Sequence, residues 1–426
     1  MPSIVTLSGE TFEPDLPNRL LSIAGEIREA GGRAFLVGGW VRDALLGKNC
    51  RDYDVEVYDL VQDELVPILK KYGRTNLVGK AFGVIHLAMK GLSLDFSFPR
   101  TESKVGYGHR GFVVHTDEKL SFKEAALRRD FTINAMGMEL PELTLCDPYG
   151  GIDDLKKGLL RHVGPAFVED SLRILRGVQF ASRFALKLAP ETIELCRTLS
   201  LEDLSIERLF EEFKKWLLKP GKPSLGLRAF LDIKLNEFFP EVSPLRGSWD
   251  DLGEMLDNTE SLRDNLSDDQ VMEFAFAAFL SGSPETSLKF LERITNETHL
   301  VKNVPLLLNA YSTLDFAIVS DAPALRRMAV KLGGLKLLCL LVKATPRKYY
   351  AAAGASEFPE QLWQAAADLD LIEAAPQPFL MGKMLMEMGF KPGKQMGETI
   401  KQSFELQLDG KIKNAEEAIA WARSRT

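Results

Sequence analysis

Two aspartates two positions apart, Asp52 and Asp54, stand in the β-prone stretch RDYDVEVYD, and upstream of them the apolar run Phe35–Val37 leads into Gly38, Gly39, Trp40, Val41 and Arg42. Alternate side chains on a strand point the same way, so Asp52 and Asp54 share a face. Neighbouring carboxylates repel, and such a face is either open strand edge or a place for cations. Two glycines let backbone N–H groups approach an anion closely, a following helix start adds a favourable dipole, and an arginine can fork onto phosphate oxygens. The segment lacks both the GxGxxG spacing and a Walker lysine, so by itself the glycine pair reads first as a tight turn.

The two features belong together. The strand bearing the aspartates should return beside the strand that precedes the glycines. An anion cradle and a two-carboxylate face then lie at one end of one sheet. Two hard cations held by carboxylates and by a triphosphate can align a hydroxyl for in-line attack on phosphorus. A third carboxylate often completes such a site. Asp95 in SLDFSF is the candidate, because Leu94 and Phe96 flank it and it alternates away from the apolar face. Taken singly, each aspartate reads as readily as a solvated strand position. Glu56 continues the face and is read as solvated.

The elements that must position these residues are legible in outline. PNRLLSIAGEIREAGG predicts an amphipathic helix with Leu20, Ile23, Ala24 and Ile27 on one face and Gly31-Gly32 as its stop. AFLV predicts a short buried strand. GVIHLAM and LSLDFSF predict two alternating strands joined by a tight Lys90-Gly91 turn. After about Pro148 the strand signal fades, and from AFVEDSLRILRGVQFASRF onward the pattern is helical, punctuated by KPGKPS, FFPEVSPLRGS, SGSPE and GASEFPE. No internal repeat is evident.

Bulk properties narrow the class. A chain of 426 residues allows a sizeable core and about two to four domains. There is no apolar run long enough for a membrane span and no signal-peptide pattern. The four cysteines are scattered without a CxxC pair, which argues against a disulfide framework or zinc site and fits a reducing cytoplasm. Histidine is scarce, and after His162 only His299 follows, so a histidine-rich metal hydrolase domain in the second half is excluded on ligand supply. The net charge is −7, so any contact with nucleic acid must come from a local basic patch.

Five motifs then occur in a specific order: LVGGWVRDALLG with RDYDV, RRDFTINAM, DPYGGIDDLKKGLLRHVG, EDSLRILRGVQFASRF and the neck-like SIERLFEEF. In order and spacing they resemble the class II tRNA nucleotidyltransferases, the CCA-adding enzymes and their poly(A) polymerase relatives within the polymerase-β superfamily. The resemblance covers residues 30–240 closely, and the tail stretch GKMLMEMGFKPGKQMGETI looks like the C-terminal segment of such enzymes. It implies an α+β fold: a mixed-sheet, polymerase-β-like nucleotidyltransferase head (1–145), then an all-α neck (146–220), body (221–375) and tail (376–426). It also implies template-independent addition of CCA, or its terminal A, to the 3′ end of tRNA from CTP and ATP, with Mg²⁺ as cofactor. The remaining expectations are the tRNA acceptor stem and elbow as partner, a cytoplasmic location, and a monomer or homodimer. An A-only enzyme paired with a separate CC-adding partner, a poly(A) polymerase acting on general RNA 3′ ends, and a catalytically dead RNA-binding relative are the alternatives.

Carried over residue by residue, the resemblance gives Gly38, Gly39 and Arg42 to the triphosphate, Asp52 and Asp54 to the metals, and Asp95 as third carboxylate. Arg128 and Arg129 would contact phosphate or sugar, and Asp130 with Asn134 would fix the ribose side; the plainer reading of Asp130 is a helix N-cap for FTINAM. Asp170 and Arg173, three apart and so neighbours on a helix face, would read the base edge. Asp170 would accept from the exocyclic amine of C or A and Arg173 would donate to the adjoining ring acceptor, leaving G and U with unpaired groups. Glu169 and Arg176 would brace that pair. Glu207, Arg208 and Glu211 of SIERLFEEF read as structural. Gln179 stands where the family often has a second arginine. The polar stretch between Asp95 and Arg128 reads as a long functional loop, of the kind that in this family switches the pocket from C to A.

Overall fold

The computed structural model describes residues 4–13, 15–78, 83–104 and 112–425. The chain divides into two compact units, one made of Met1–Trp216 with Leu225–Lys234 and the other of Leu217–Ser224 with Leu235–Thr426.

The first unit is built on a seven-stranded mixed sheet. Its strands are β1 (Arg33–Val37), β2 (Asp54–Tyr58), β3 (Arg74–Val78), β4 (Val84–Met89), β5 (Leu92–Ser97), β8 (Gly137–Leu140) and β9 (Thr144–Cys146), in the spatial order β9-β8-β1-β2-β5-β4-β3. All neighbours are antiparallel except β2 and β5, which run parallel. As expected, β2 returns beside β1, the strand before the glycines, with Leu36 opposite Val55 and Arg33 opposite Tyr58. The Lys90-Gly91 hairpin forms as the alternation requires, with Gly91 at φ 76°. Helix α1 (Asn18–Glu29) buries Leu20, Ile23, Ala24 and Ile27, the four residues that its 3.6-residue spacing puts on one face. Phe35 of β1 stacks on Phe122 at 4.9 Å and meets Tyr58 of β2 edge-on at 5.1 Å, so the centre of the sheet is pinned by rings on both strands that flank the glycine turn.

The stretch between Asp95 and Arg128 differs from the expected loop. It forms a second antiparallel pair, β6 (Arg100–Lys104) with β7 (Phe112–Thr116), followed by a short helix α4 (Phe122–Ala126). Ser121 and Glu124 close a capping box at the start of α4, a local signal that its polar composition obscured. The remainder of the expected loop, residues 105–111, lies outside the described residues. Helices α2 (Gly39–Leu45), α3 (Gln62–Lys70), α5 (Gly151–Lys157), α6 (Leu172–Phe184) and α7 (Ile206–Leu218) complete the elements used below.

The secondary-structure elements among the second unit's described residues are helices, apart from an isolated bridge between Leu245 and Ser248. Phe239, Phe279 and Phe290 meet edge-on in its core, and Leu380, Leu385, Ile412, Ala418 and Ala422 form a separate apolar cluster near the C-terminus. No described helix is long and apolar enough to cross a membrane.

Candidate active site

The carboxylate face follows from strand register. Asp52 lies just before β2, not within it, but Asp52 and Asp54 are both exposed with Tyr53 buried between them, so the alternation extends one residue past the strand. The parallel pairing of β2 with β5 sets Asp54 directly opposite Asp95. Asp54 is open to solvent on its outer side. Even so, partial burial and the nearby charges of Asp52 and Asp95 push its pKa up to about 6, against a weaker opposing pull from Arg129. Crowded carboxylates with hard oxygen donors fit a hard divalent cation, which would relieve that repulsion. Among the described residues, no three acidic, histidine or cysteine side chains converge closely enough to form a finished metal cage. Asp95 is engaged on one side: its Oδ1 lies 2.7 Å from Nδ1 of His86, directly across the hairpin, and Ser93 Oγ lies 3.2 Å from the other ring nitrogen.

The glycine turn sits over two guanidinium groups. Gly38 adopts φ 69° and ψ −131°, a conformation that side-chain-bearing residues rarely reach. A Cβ there would stand 3.6 Å from Nη1 of Arg129, and one on Gly39 would stand 3.1 Å from Nη2 of Arg42. Arg42 does not open toward solvent as a free fork. It is 3 % exposed, donates to Asp43 at 2.9 Å and to Asn134 Oδ1 at 2.5 Å, and lies 4.0 Å from the centroid of Phe184. Burial lowers its pKa and Asp43 opposes the shift. Arg42 thus braces the turn from beneath.

Glu56 is the largest departure from the sequence reading. It is 1 % exposed, not solvated. Its carboxylate receives Arg128 Nη2 at 3.0 Å, Arg129 Nη2 at 3.4 Å and the Tyr58 hydroxyl at 2.6 Å. Burial raises its pKa, but the two arginines outweigh burial and hold it below the ordinary glutamate value. The strand alternation holds, but the face that is open at Asp54 is roofed two residues later by the RRD segment, which only the tertiary fold brings there.

Asp130 and Asn134 do come together. Asn134 Nδ2 donates to Asp130 Oδ1 at 3.0 Å, and Arg176 of α6 donates to Asp130 Oδ2 at 2.8 Å through Nε. Arg176 therefore braces Asp130 and not the pair it was expected to support. Asp130 also accepts from the backbone N–H of Phe131, and Phe131 is the residue that caps the short helical turn Thr132–Asn134. Burial raises the pKa of Asp130, but Arg176 and these donors more than offset it and keep the carboxyl below its usual range.

Asp170 and Arg173 do not pair. The i,i+3 argument assumes helix at both residues, but α6 starts at Leu172 and Asp170 is extended at φ −129° and ψ 100°. Asp170 accepts from the Leu172 N–H at 3.2 Å and from Arg208 Nη2 of α7 at 2.8 Å. Arg173 donates to the carbonyls of Ala166 and Arg128, each at 2.6 Å. Glu169 ends the short helical turn Pro165–Glu169 and takes part in neither of these sets of bonds. Gln179, at the departure from the family pattern, is buried in the packed face of α6.

Four residues of the site were not singled out as site residues beforehand: His86, Asp43, Tyr58 and Arg208. The signal for His86 was present, because a two-residue turn at Lys90-Gly91 fixes it opposite Asp95. Asp43 and Tyr58 lie one and two residues from their partners Arg42 and Glu56, whereas Arg208 meets Asp170 across 38 residues of chain.

Residues 34–161 match the family model described as "Poly A polymerase head domain". The "Multifunctional CCA protein" of Xanthomonas campestris pv. campestris (strain B100) is 40% identical over 223 residues, which is 50% of this chain and 52% of that protein. The chain thus spans about half the length of the curated relatives it matches. Among solved structures, the Thermotoga maritima CCA-adding enzyme complexed with tRNA aligns over 96% of this chain and 95% of its own, at 24% identity and TM-score 0.63. A CCA-adding enzyme solved with ATP aligns over 96% and 94%, at 24% identity and TM-score 0.67. The fold is therefore that of these solved structures, a mixed sheet followed by helices.

Proposed function

We propose that the chain is a tRNA nucleotidyltransferase that adds CCA, or its terminal A, to the tRNA 3′ end. The observation that carries this reading is the register that sets Asp54 opposite Asp95 on parallel strands, beside a glycine turn lined by Arg42 and Arg129. In the reaction, the RNA 3′-hydroxyl attacks the α-phosphorus of CTP or ATP, an O–P bond forms, and pyrophosphate leaves. Asp52 and Asp54 would hold Mg²⁺, which supplies positive charge against the phosphates when bound. Asp95 accepts the proton of the attacking hydroxyl, and His86 holds the acceptor in place. Backbone N–H groups at Gly38 and Gly39 and the arginines Arg128 and Arg129 bind the triphosphate. Asp130 and Asn134 position the ribose. Asp170, Arg173 and Arg176 line the base side, with Asp170 already oriented by Arg208. The tRNA acceptor stem and elbow are held by shape and phosphate contacts from the helical part of the chain.

The test supplies tRNA lacking the terminal CCA, tRNA ending in CC, and complete tRNA, each with CTP, ATP or both. The expected result is CMP incorporation first and AMP only after it, with no extension of complete tRNA. Incorporation of AMP into CC-ended tRNA alone identifies the A-only reading, and repeated AMP addition to unrelated RNA identifies the poly(A) polymerase reading. No incorporation into any substrate overturns the proposal.

A further inference from the structure

The buried carboxylate of Glu56 has no part in the reaction as derived above, yet it lies on the same strand face as Asp54 and touches both arginines of the RRD segment. Burying a charge is costly unless it is paired and hydrogen-bonded. Here two guanidinium groups and the Tyr58 hydroxyl meet that need at 3.0, 3.4 and 2.6 Å. The arrangement does more than satisfy Glu56. An arginine side chain has several rotatable bonds and five N–H donors, and each of these contacts uses only one of them. Arg129 spends a second nitrogen, Nη1, on the carbonyl of Asn134 at 3.4 Å, and that same nitrogen lies 3.6 Å from where a Cβ on Gly38 would stand. Arg128 is fixed from its backbone as well, because its carbonyl accepts Arg173 Nη2 at 2.6 Å.

We infer that Glu56 is a positioning residue for nucleotide binding: it sets Arg128 and Arg129 in one geometry against the Gly38 turn before the triphosphate arrives. This rests on the nucleotide site proposed above. Ordering two long side chains in the free protein removes that entropy cost from the binding step. The idea makes a prediction about sign that simple charge counting reverses. By charge alone, neutralising Glu56 frees one positive charge near the phosphates and should tighten nucleotide binding. If Glu56 positions the arginines, the same change should weaken binding, because the arginines lose their shared anchor.

The test is equilibrium dialysis of CTP and of ATP against the full chain in Mg²⁺ without RNA, together with steady-state kinetics and melting temperature. Glu56→Gln is expected to weaken both nucleotides to the same extent, by about tenfold, while kcat at saturating nucleotide stays within about twofold. In an Arg129→Ala background the same substitution should add less than its full loss, because one of the two arginines it positions is already gone. Glu56→Asp keeps the charge but withdraws it by one methylene. It is expected to weaken binding less than Glu56→Gln, and it takes over the test should the Gln variant not fold. Unchanged or tighter binding, or losses that add fully to those of Arg129→Ala, overturns the inference even if melting temperature falls. A wild-type chain that binds neither nucleotide overturns the nucleotide site itself, whereas a wild type that binds both with variants that match it overturns only the role of Glu56.

Discussion

Two carboxylates two positions apart on β2 are built in opposite ways. Asp54 keeps its outer side open to solvent among other acids, and partial burial with like charges drives its pKa upward. Glu56 is sealed beneath two arginines and a tyrosine, and its pKa is driven downward. One position stores repulsion that a cation can relieve, and the other has its countercharge built in. The difference shows how one strand face can carry both a site and its support. The open end is left unsatisfied for a ligand, and the closed end is satisfied so that the site does not move.

The strongest way to break this comparison is to remove the open acid. Asp54→Ala should reduce nucleotide transfer to background, measured on CC-ended tRNA with ATP, while the melting temperature does not fall. A variant with wild-type turnover in Mg²⁺ would place the chemistry elsewhere. Next in size is the closed cluster around Asp130. Arg176→Ala leaves Asp130 buried with only Asn134 and the Phe131 N–H as donors, and urea denaturation should show a loss of about 3 kcal/mol. A loss below about 1 kcal/mol would mean that the pair acts as an ordinary surface contact.

The smallest effect is the sharpest for the comparison, because the two acids should respond to pH with opposite sign. The folded pKa of Asp54 is raised, so its ionisation costs stability above about pH 6, and that cost disappears as pH falls toward the unfolded value near 4. Asp54→Asn should therefore melt a few degrees above wild type at pH 8 without divalent cations, and the gap should close by about pH 4. The folded pKa of Glu56 is lowered, so it adds stability above the unfolded glutamate value, and that stability is lost as pH falls through the folded pKa. Glu56→Gln should accordingly melt below wild type at pH 8, with the gap narrowing in acid. Differential scanning calorimetry across this range checks both, and gaps of the same sign would contradict the assignment.

Much of the carboxylate face is legible in the sequence because its determinants are local. The period of α1, the return of β2, the two-residue hairpin and the alternation through Asp52, Tyr53 and Asp54 each depend on residues close in the chain. The same hairpin register places His86 opposite Asp95. Where the structure departs from the pattern, the cause differs: α6 begins two residues later than its helical period suggests, which separates the Asp170 and Arg173 side chains, and polar composition after Asp95 masks a strand pair.

The order of motifs in the amino-acid sequence, together with hydrophobic period, determined the head's sheet, the aspartate face and the glycine turn, since steric and pleat rules act over a few residues. Which charges face one another was decided only by tertiary structure. Glu56 meets Arg128 and Arg129 across 72 and 73 residues of chain, Arg176 meets Asp130 across 46, and Arg208 meets Asp170 across 38. Local propensity carries no information about such partners. They are selected because a buried charge is tolerated only where packing brings an opposite charge within hydrogen-bonding distance.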